Sequence, residues 1–309
     1  MPPAASPLKG IFMKCTSVAV FTLMAALIKA TSETVPPGQQ VFFRSFFALP
    51  VILVWLAWRR ELGVGLRTRQ PMGHLWRGML GTGAMVLNFW ALSLLTFPEV
   101  TAIGYASPLL VVVLAGLFLG ENVRAFRLGM VGLGLTGVLI VLSPQLLQSG
   151  GAGSMRGWGA AIALGGAFCA ALAQIFVRKL VQGEQVAAIV FWFSVTSSVI
   201  GLASLPWGWT MPDMRTGGML VMAGLMGGFA QILLTASYRH ADASIIAPFD
   251  YVSMLLAVII GWWIFDERVT VPVLIGAMLV ITAGILIIWR EHRLGLERTR
   301  QRRAGTPPA

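Results

Sequence analysis

The chain has 309 residues, of which 57% are hydrophobic and only 11% charged, and its formal net charge is +11. So little charge excludes an ordinary soluble protein of this size, and apolar runs of about 18–20 residues recur, the length that crosses a hydrocarbon layer of roughly 30 Å. The basic excess is spread over loops and a tail without a folded basic module, which argues against nucleic acid as a partner.

An unpaired backbone amide in lipid costs several kcal/mol, so the apolar runs are predicted to be helices, and the fold class is an all-α membrane protein. Ten transmembrane helices are expected, over residues 11–30, 40–58, 76–94, 100–119, 128–142, 158–177, 186–205, 219–238, 244–265 and 271–289. The fifth is short and is expected to extend into its flanks. Lys9 and Lys14 ahead of the first run resemble the charged start of a signal peptide. Nine further spans, and Lys29 where a small cleavage residue belongs, make it a retained first helix instead.

Lys and Arg accumulate in short cytoplasmic loops. With the N-terminus inside, one side carries most of the positive residues, including Lys14, Arg77 and six arginines from Arg290 to Arg303. The other side carries Lys29, Arg156, Arg215 and Arg268, and Arg44 falls within a span. Both termini are therefore expected to be cytoplasmic. The tail beyond residue 290 either holds anionic membrane lipids or is a solvated, disordered extension.

One stretch occurs twice. Residues 105–128 and 251–274 align without a gap, matching at Tyr105/Tyr251, Ser107/Ser253, Leu109/Leu255, Leu110/Leu256 and Glu121/Glu267. Five crossings separate the copies, an odd number, so they enter the membrane from opposite faces. Inverted repeats of this kind underlie alternating access in secondary transporters. The expected division is a first repeat over 1–149, an external linker over 150–157, a second repeat over 158–290 and a basic cytoplasmic tail over 291–309.

TAIGYASPLLVVVLAGLFLGE with GMVGLGLTGVLIVL, and ADASIIAPFDYVSMLLAVIIGWWIFDE with IGAMLVITAGILIIW, resemble the paired EamA repeats of the drug/metabolite transporter superfamily. Asp266 replaces the usual Gly before Glu267, and Met254 stands where the first copy has Pro108. The resemblance implies two inverted five-helix EamA-type repeats in a bacterial inner membrane. It also implies a central site built by the first, third, fourth, sixth, eighth and ninth spans. AALIKATSETVPPGQQVFFRSFFALPV and QILLTASYRHADASIIAPFDY are similar to the riboflavin-uptake branch, so riboflavin is the first substrate expected. Export or exchange of amino acids, S-adenosylmethionine or drugs is the alternative within the superfamily. A receptor or scaffold that transports nothing is the alternative outside it.

Ionisable and polar residues inside spans are the candidate substrate-binding residues, because burying them in lipid is costly unless they face a partner or a wet cavity. Arg44 lies roughly 7 Å into the second span, and its repeat counterpart is near Phe193. It either selects substrate or joins a buried ion pair, or else it snorkels to headgroups. Asp250, in APFDY, binds a proton or substrate, or is satisfied by Arg239 or by its own first turn. Asn88 and Gln231 lie near mid-membrane, where amides bond a heterocycle or simply join helices. Trp90 is among the aromatics on which a planar ligand could stack. Tyr105 and Tyr251 are expected toward opposite faces, closing the two ends of a cavity in turn.

Enzyme chemistry finds no support. Glu121 and Glu267 emerge on opposite sides under the inverted topology, so each is expected to tie its own hairpin loop. The sequence holds no nucleophile motif, no phosphate-binding loop and no metal-ligand spacing, and Cys15 and Cys169 lie in separate spans. No cofactor is expected, the partners are a small-molecule substrate and membrane lipids, and nothing in the sequence sets an oligomeric state.

Overall fold

A computed structural model describes residues 7–119, 125–147, 155–180, 183–240 and 246–304, and among these the regular elements are all helical. The first half comprises α1 (Pro7–Thr31), α2 (Pro37–Phe46) running into α3 (Ala48–Trp58), and a single turn α4 (Leu62–Gly65). It continues with α5 (Pro71–Leu94), the broken pair α6 (Phe97–Gly104) and α7 (Ala106–Leu119), and α8 (Ala125–Leu147). The second half has α9 (Met155–Leu180), α10 (Val186–Ala203) and α11 (Met214–His240). A 3-10 turn (Ala247–Tyr251) then leads into α12 (Val252–Phe265), and α13 (Val271–Ala304) follows.

Eight of these spans are long and apolar enough to cross a membrane, α10 is a shorter apolar helix, and α5 makes the tenth. As expected, the fifth span extends beyond its apolar core, in α8. The basic stretch after residue 290 continues α13 as helix to Ala304. Glu121 and residues 148–154 of the linker region lie outside the described residues.

Burial is inverted relative to a soluble protein. Leu117, Trp263 and Met278 point outward, while Lys14, Gln40, Arg44, Thr82 and Ser197 are buried. Lipid is as apolar as a protein core, so side chains on the perimeter need no polar cover. Polar groups turn inward, where helices satisfy one another. The hydroxyl of Ser17 on α1, for example, donates to the Ala230 carbonyl on α11 at 2.8 Å.

The helix pairings obey the symmetry of the repeats. The most extensive are α1 with α11, α5 with α9, α8 with α13 and α2 with α10. Exchanging the halves turns the first pairing into the second, since α1 and α9 are first spans and α5 and α11 third spans. It returns the other two to themselves. That pattern belongs to two inverted five-helix repeats related by an axis in the membrane plane.

Small residues let the backbones meet near that axis. A Cβ on Gly137 of α8 would lie 2.7 Å from the carbonyl oxygen of Gly276 on α13, and one on Gly276 would meet the Gly137 carbonyl. A Cβ on Gly201 of α10 would lie 2.7 Å from the backbone nitrogen of Phe42 on α2.

The halves are also clasped through their loops. Glu184, between α9 and α10, accepts hydrogen bonds from the Thr68 hydroxyl (3.0 Å) and from the N–H groups of Arg69 (2.6 Å) and Gln70 (2.8 Å). Burial works against its charge, but these donors together outweigh it and hold the carboxyl below its usual range.

Candidate functional site

Two interrupted helices create the centre of the molecule. Pro108 lacks the N–H that would bond the Gly104 carbonyl and crowds that turn, so the fourth span breaks there. Tyr105 ends α6 with its N–H turned to the Ala102 carbonyl at 3.3 Å. In the second repeat Met254 replaces that proline, yet the break recurs. Here the 3-10 turn beginning at Ala247, with Pro248 in its first turn, delays the start of α12 to Val252.

These breaks overturn the expectation that Tyr105 and Tyr251 sit toward opposite faces. Their rings touch, with centroids 5.2 Å apart and planes at 65°. Counting residues along unbroken helices separates them, whereas the two interrupted segments meet on the repeat axis. The Ser253 hydroxyl donates to the Asp250 carbonyl at 2.7 Å. The Tyr105 hydroxyl lies 2.6 Å from Ser253 Oγ and 3.4 Å from the same carbonyl, so the three groups form one hydrogen-bonded cluster. The Tyr251 hydroxyl occupies the space that a side chain at Gly284 of α13 would take.

Asp250 is paired with Lys14 rather than Arg44, and the Arg239 side chain lies outside the described residues. Its Oδ1 pairs with Lys14 Nζ of α1 at 2.7 Å, and Lys14 is 2% exposed while the Asp250 side chain is 50% exposed. The exposed half of that carboxylate faces a cavity of about 500 Å³. Lys14, Thr101, Tyr105, Gln174, Asp250 and Tyr251 give the cavity its polar and aromatic lining, and Val18, Phe21 and Val111 much of its apolar wall. The site thus offers one cation, one anion, two phenols and an apolar floor.

Phe97, another wall residue, leads to a second polar layer where α1 ends. Its N–H donates to Glu267 Oε2 at 2.7 Å, and Glu267 Oε1 pairs with Lys29 at 2.9 Å. Lys29 also donates to the carbonyls of Leu92 (3.1 Å) and Leu95 (2.8 Å). Glu267 therefore bonds across the bundle to α1 and α6, beyond the single hairpin expected of it. On the same side of the fourth span, Glu99 Oε2 accepts from the Thr96 N–H at 2.9 Å and Glu99 Oε1 pairs with Arg156 at 3.1 Å.

The remaining candidates lie elsewhere. Asn88 lines a smaller recess of about 240 Å³ between α5, α6 and α9, with Phe89 and Ser107. Trp90 is 47% exposed on the perimeter, and Gln231 is half-buried on α11 outside the cavity lining. Arg44 is buried against Phe193, its repeat counterpart, with its guanidinium carbon 5.9 Å from the ring centroid. Lys14 was missed as a site residue because it was counted among the flanking positive charges. Its signal was position, since seven residues of α1 precede it and an apolar run follows.

The EamA-like transporter family matches residues 8–143 and 157–289. The pseudopaline exporter CntI of Pseudomonas aeruginosa is 26% identical over 279 residues, covering 90% of this chain and 95% of that one. The riboflavin transporter of Rhizobium johnstonii is 30% identical over 262 residues, covering 84% and 83%. The S-adenosylmethionine uptake transporter of Rickettsia bellii is 27% identical over 252 residues, covering 82% and 84%. A crystal structure with 17% identity superposes at a TM-score of 0.64 over 94% of this chain and 99% of its own, which shows the fold. With a family match across both halves and a polar cavity on the axis between them, the chain belongs to the EamA-like transporter family and is a multi-pass membrane transporter, not an enzyme.

Proposed function

We propose that this transporter takes up a small planar metabolite, with riboflavin first, by alternating access through the cavity at Tyr105 and Tyr251. The observation that carries the reading is the pair of tyrosine rings beside the Lys14–Asp250 ion pair. A flat heterocycle stacks on a phenol ring, and its polar edge exchanges hydrogen bonds with the cation, the carboxylate and Gln174. The relative that transports riboflavin, at 30% identity, supports this choice.

Of the seven candidate residues, Tyr105, Asp250 and Tyr251 contact substrate directly in this reading. Asn88 serves the neighbouring recess, and Arg44, Trp90 and Gln231 act from outside the cavity. The layer of Phe97, Lys29 and Glu267 is the gate at the end where α1 finishes. The excess of Lys and Arg on the other side supports cytoplasmic termini, and the bacterial relatives support a bacterial inner membrane. The boundaries 1–149, 150–157, 158–290 and 291–309 remain the working division of the chain.

A second reading rests on the ion pair itself. Adjacent opposite charges complement the ammonium and carboxylate of an amino-acid-like zwitterion, and this suits export or exchange of amino acids or uptake of S-adenosylmethionine. The test is uptake of labelled riboflavin by a flavin-auxotrophic bacterium expressing the chain, beside Asp250→Asn and Arg44→Ala variants at matched membrane abundance. Saturable uptake lost in Asp250→Asn is the expected result. No uptake by abundant wild type sinks the riboflavin reading, and flux of labelled S-adenosylmethionine or amino acids in the same cells selects the second one.

A further inference from the structure

Outside the central cavity, two arginines meet in the interior without an acidic partner. Arg44 on α2 and Arg77 on α5 both approach the Phe193 ring of α10, at 5.9 and 4.0 Å from the centroid. Arg44 is 7% exposed and its Nε is unbonded, and Nε and Nη1 of Arg77 are buried and unbonded. Among the described residues no carboxylate pairs with either guanidinium. Arg44 is instead a charged neighbour of Arg77.

Neither side chain takes the cheap route to water. The stem of a helical residue leans toward the helix N-terminus, so snorkelling would carry the Arg77 guanidinium back toward Pro71. It reaches forward over Gly81, where an added Cβ would meet Arg77 Nη1 and Phe193, at a depth of about 15 Å along α5. Arg44 likewise lies across Gly227 of α11, where an added Cβ would stand 3.3 Å from its Nε. Glycines on two helices thus leave room for two cations held mid-bundle, where uncompensated charge is expensive.

We propose that Arg44 and Arg77 form a second site, bounded by α2, α5, α10 and α11, that holds one oxyanion, a carboxylate or phosphate group. Two planar guanidinium forks beside one ring supply N–H donors suited to such a group, and Phe193 contacts both by cation–π interaction. The group arrives either on a soluble anion or on a lipid phosphate. This site does not depend on riboflavin being the cargo.

The test is thermal unfolding of the full chain purified in a maltoside detergent, with inorganic phosphate titrated against chloride at equal ionic strength. In a parallel arm phosphatidylglycerol replaces the phosphate. Wild type is expected to show a midpoint that rises with the logarithm of ligand concentration. Arg44→Gln and Arg77→Gln lose the rise, and Arg77→Lys weakens it. Because each Gln variant removes one of two like charges, its ligand-free midpoint equals or exceeds that of wild type. A rise with the lipid alone identifies lipid phosphate as the source, and a rise with free phosphate identifies a soluble anion. A flat wild-type response in both arms overturns the proposal. So does a rise undiminished in both Gln variants, or Gln variants that do not fold.

Discussion

Replacing Asp250 with Asn is expected to lower transport at least about a hundredfold and to destabilise the protein more than replacing Lys14 with Met. The two partners are unequal: Lys14 is 2% exposed, while half of the Asp250 side chain faces the cavity. Stranding the buried ammonium leaves an uncompensated charge inside the bundle, a loss of about 3–5 kcal/mol when a buried pair is broken. Stranding the carboxylate costs less, because the cavity can admit water to it. Asp250 also contacts substrate in the proposed reading, and at about 1.4 kcal/mol per tenfold the loss of about 3 kcal/mol of substrate interaction accounts for the hundredfold fall. The double variant Lys14→Met/Asp250→Asn should recover much of the stability and none of the transport. Unfolding midpoints and uptake rates of the four proteins form the cycle that checks this. A double variant whose stability loss equals the sum of the two single losses would mean that Lys14 and Asp250 do not depend on each other.

Gly276→Leu should be the most damaging single change outside the cavity. Its Cβ would be driven into the carbonyl of Gly137 and the side chain of Val141, and backbone cannot step aside as a side-chain end does. Overpacking of a tight core costs about 1–3 kcal/mol where side chains can yield. At this helix crossing the cost should exceed that range. Gly132→Leu on α8 is the matched control, since nothing lies within 4 Å of a Cβ there. Yield of monodisperse protein in detergent should collapse for Gly276→Leu and stay near wild type for Gly132→Leu. Similar yields for both would contradict the close α8–α13 crossing.

The sequence carried the large-scale architecture well. Runs of apolar residues and one ungapped repeat are enough to set ten spans and inverted halves, because lipid imposes helices and parity imposes orientation. Residue placement within that frame was harder to read. Lys14 and Arg77 were counted as loop charges, although their spans begin at Pro7 and Pro71 and both side chains turn inward. Tyr105 and Tyr251 were assigned by depth along straight helices, and the interruptions at Pro108 and after Ala247 invalidate that ruler. Trp90 lies only two residues from Asn88, but residues two apart on a helix face different directions, and Trp90 points outward. Arg44 and Phe193 were recognised as repeat counterparts. Their contact follows because α2 and α10 pack against each other on the axis that exchanges them.

Under the proposed alternating access, the cavity at Lys14, Tyr105 and Asp250 opens to each side of the membrane in turn. The most direct measurement of that opening places a single cysteine at Thr101, a cavity-lining position, after replacing Cys15 and Cys169 with Ser. A membrane-impermeant maleimide is then applied to right-side-out and to inverted vesicles. Labelling of Thr101→Cys from both faces is the predicted result. Labelling from one face alone, under every condition in which the protein transports, would contradict alternating access through this cavity.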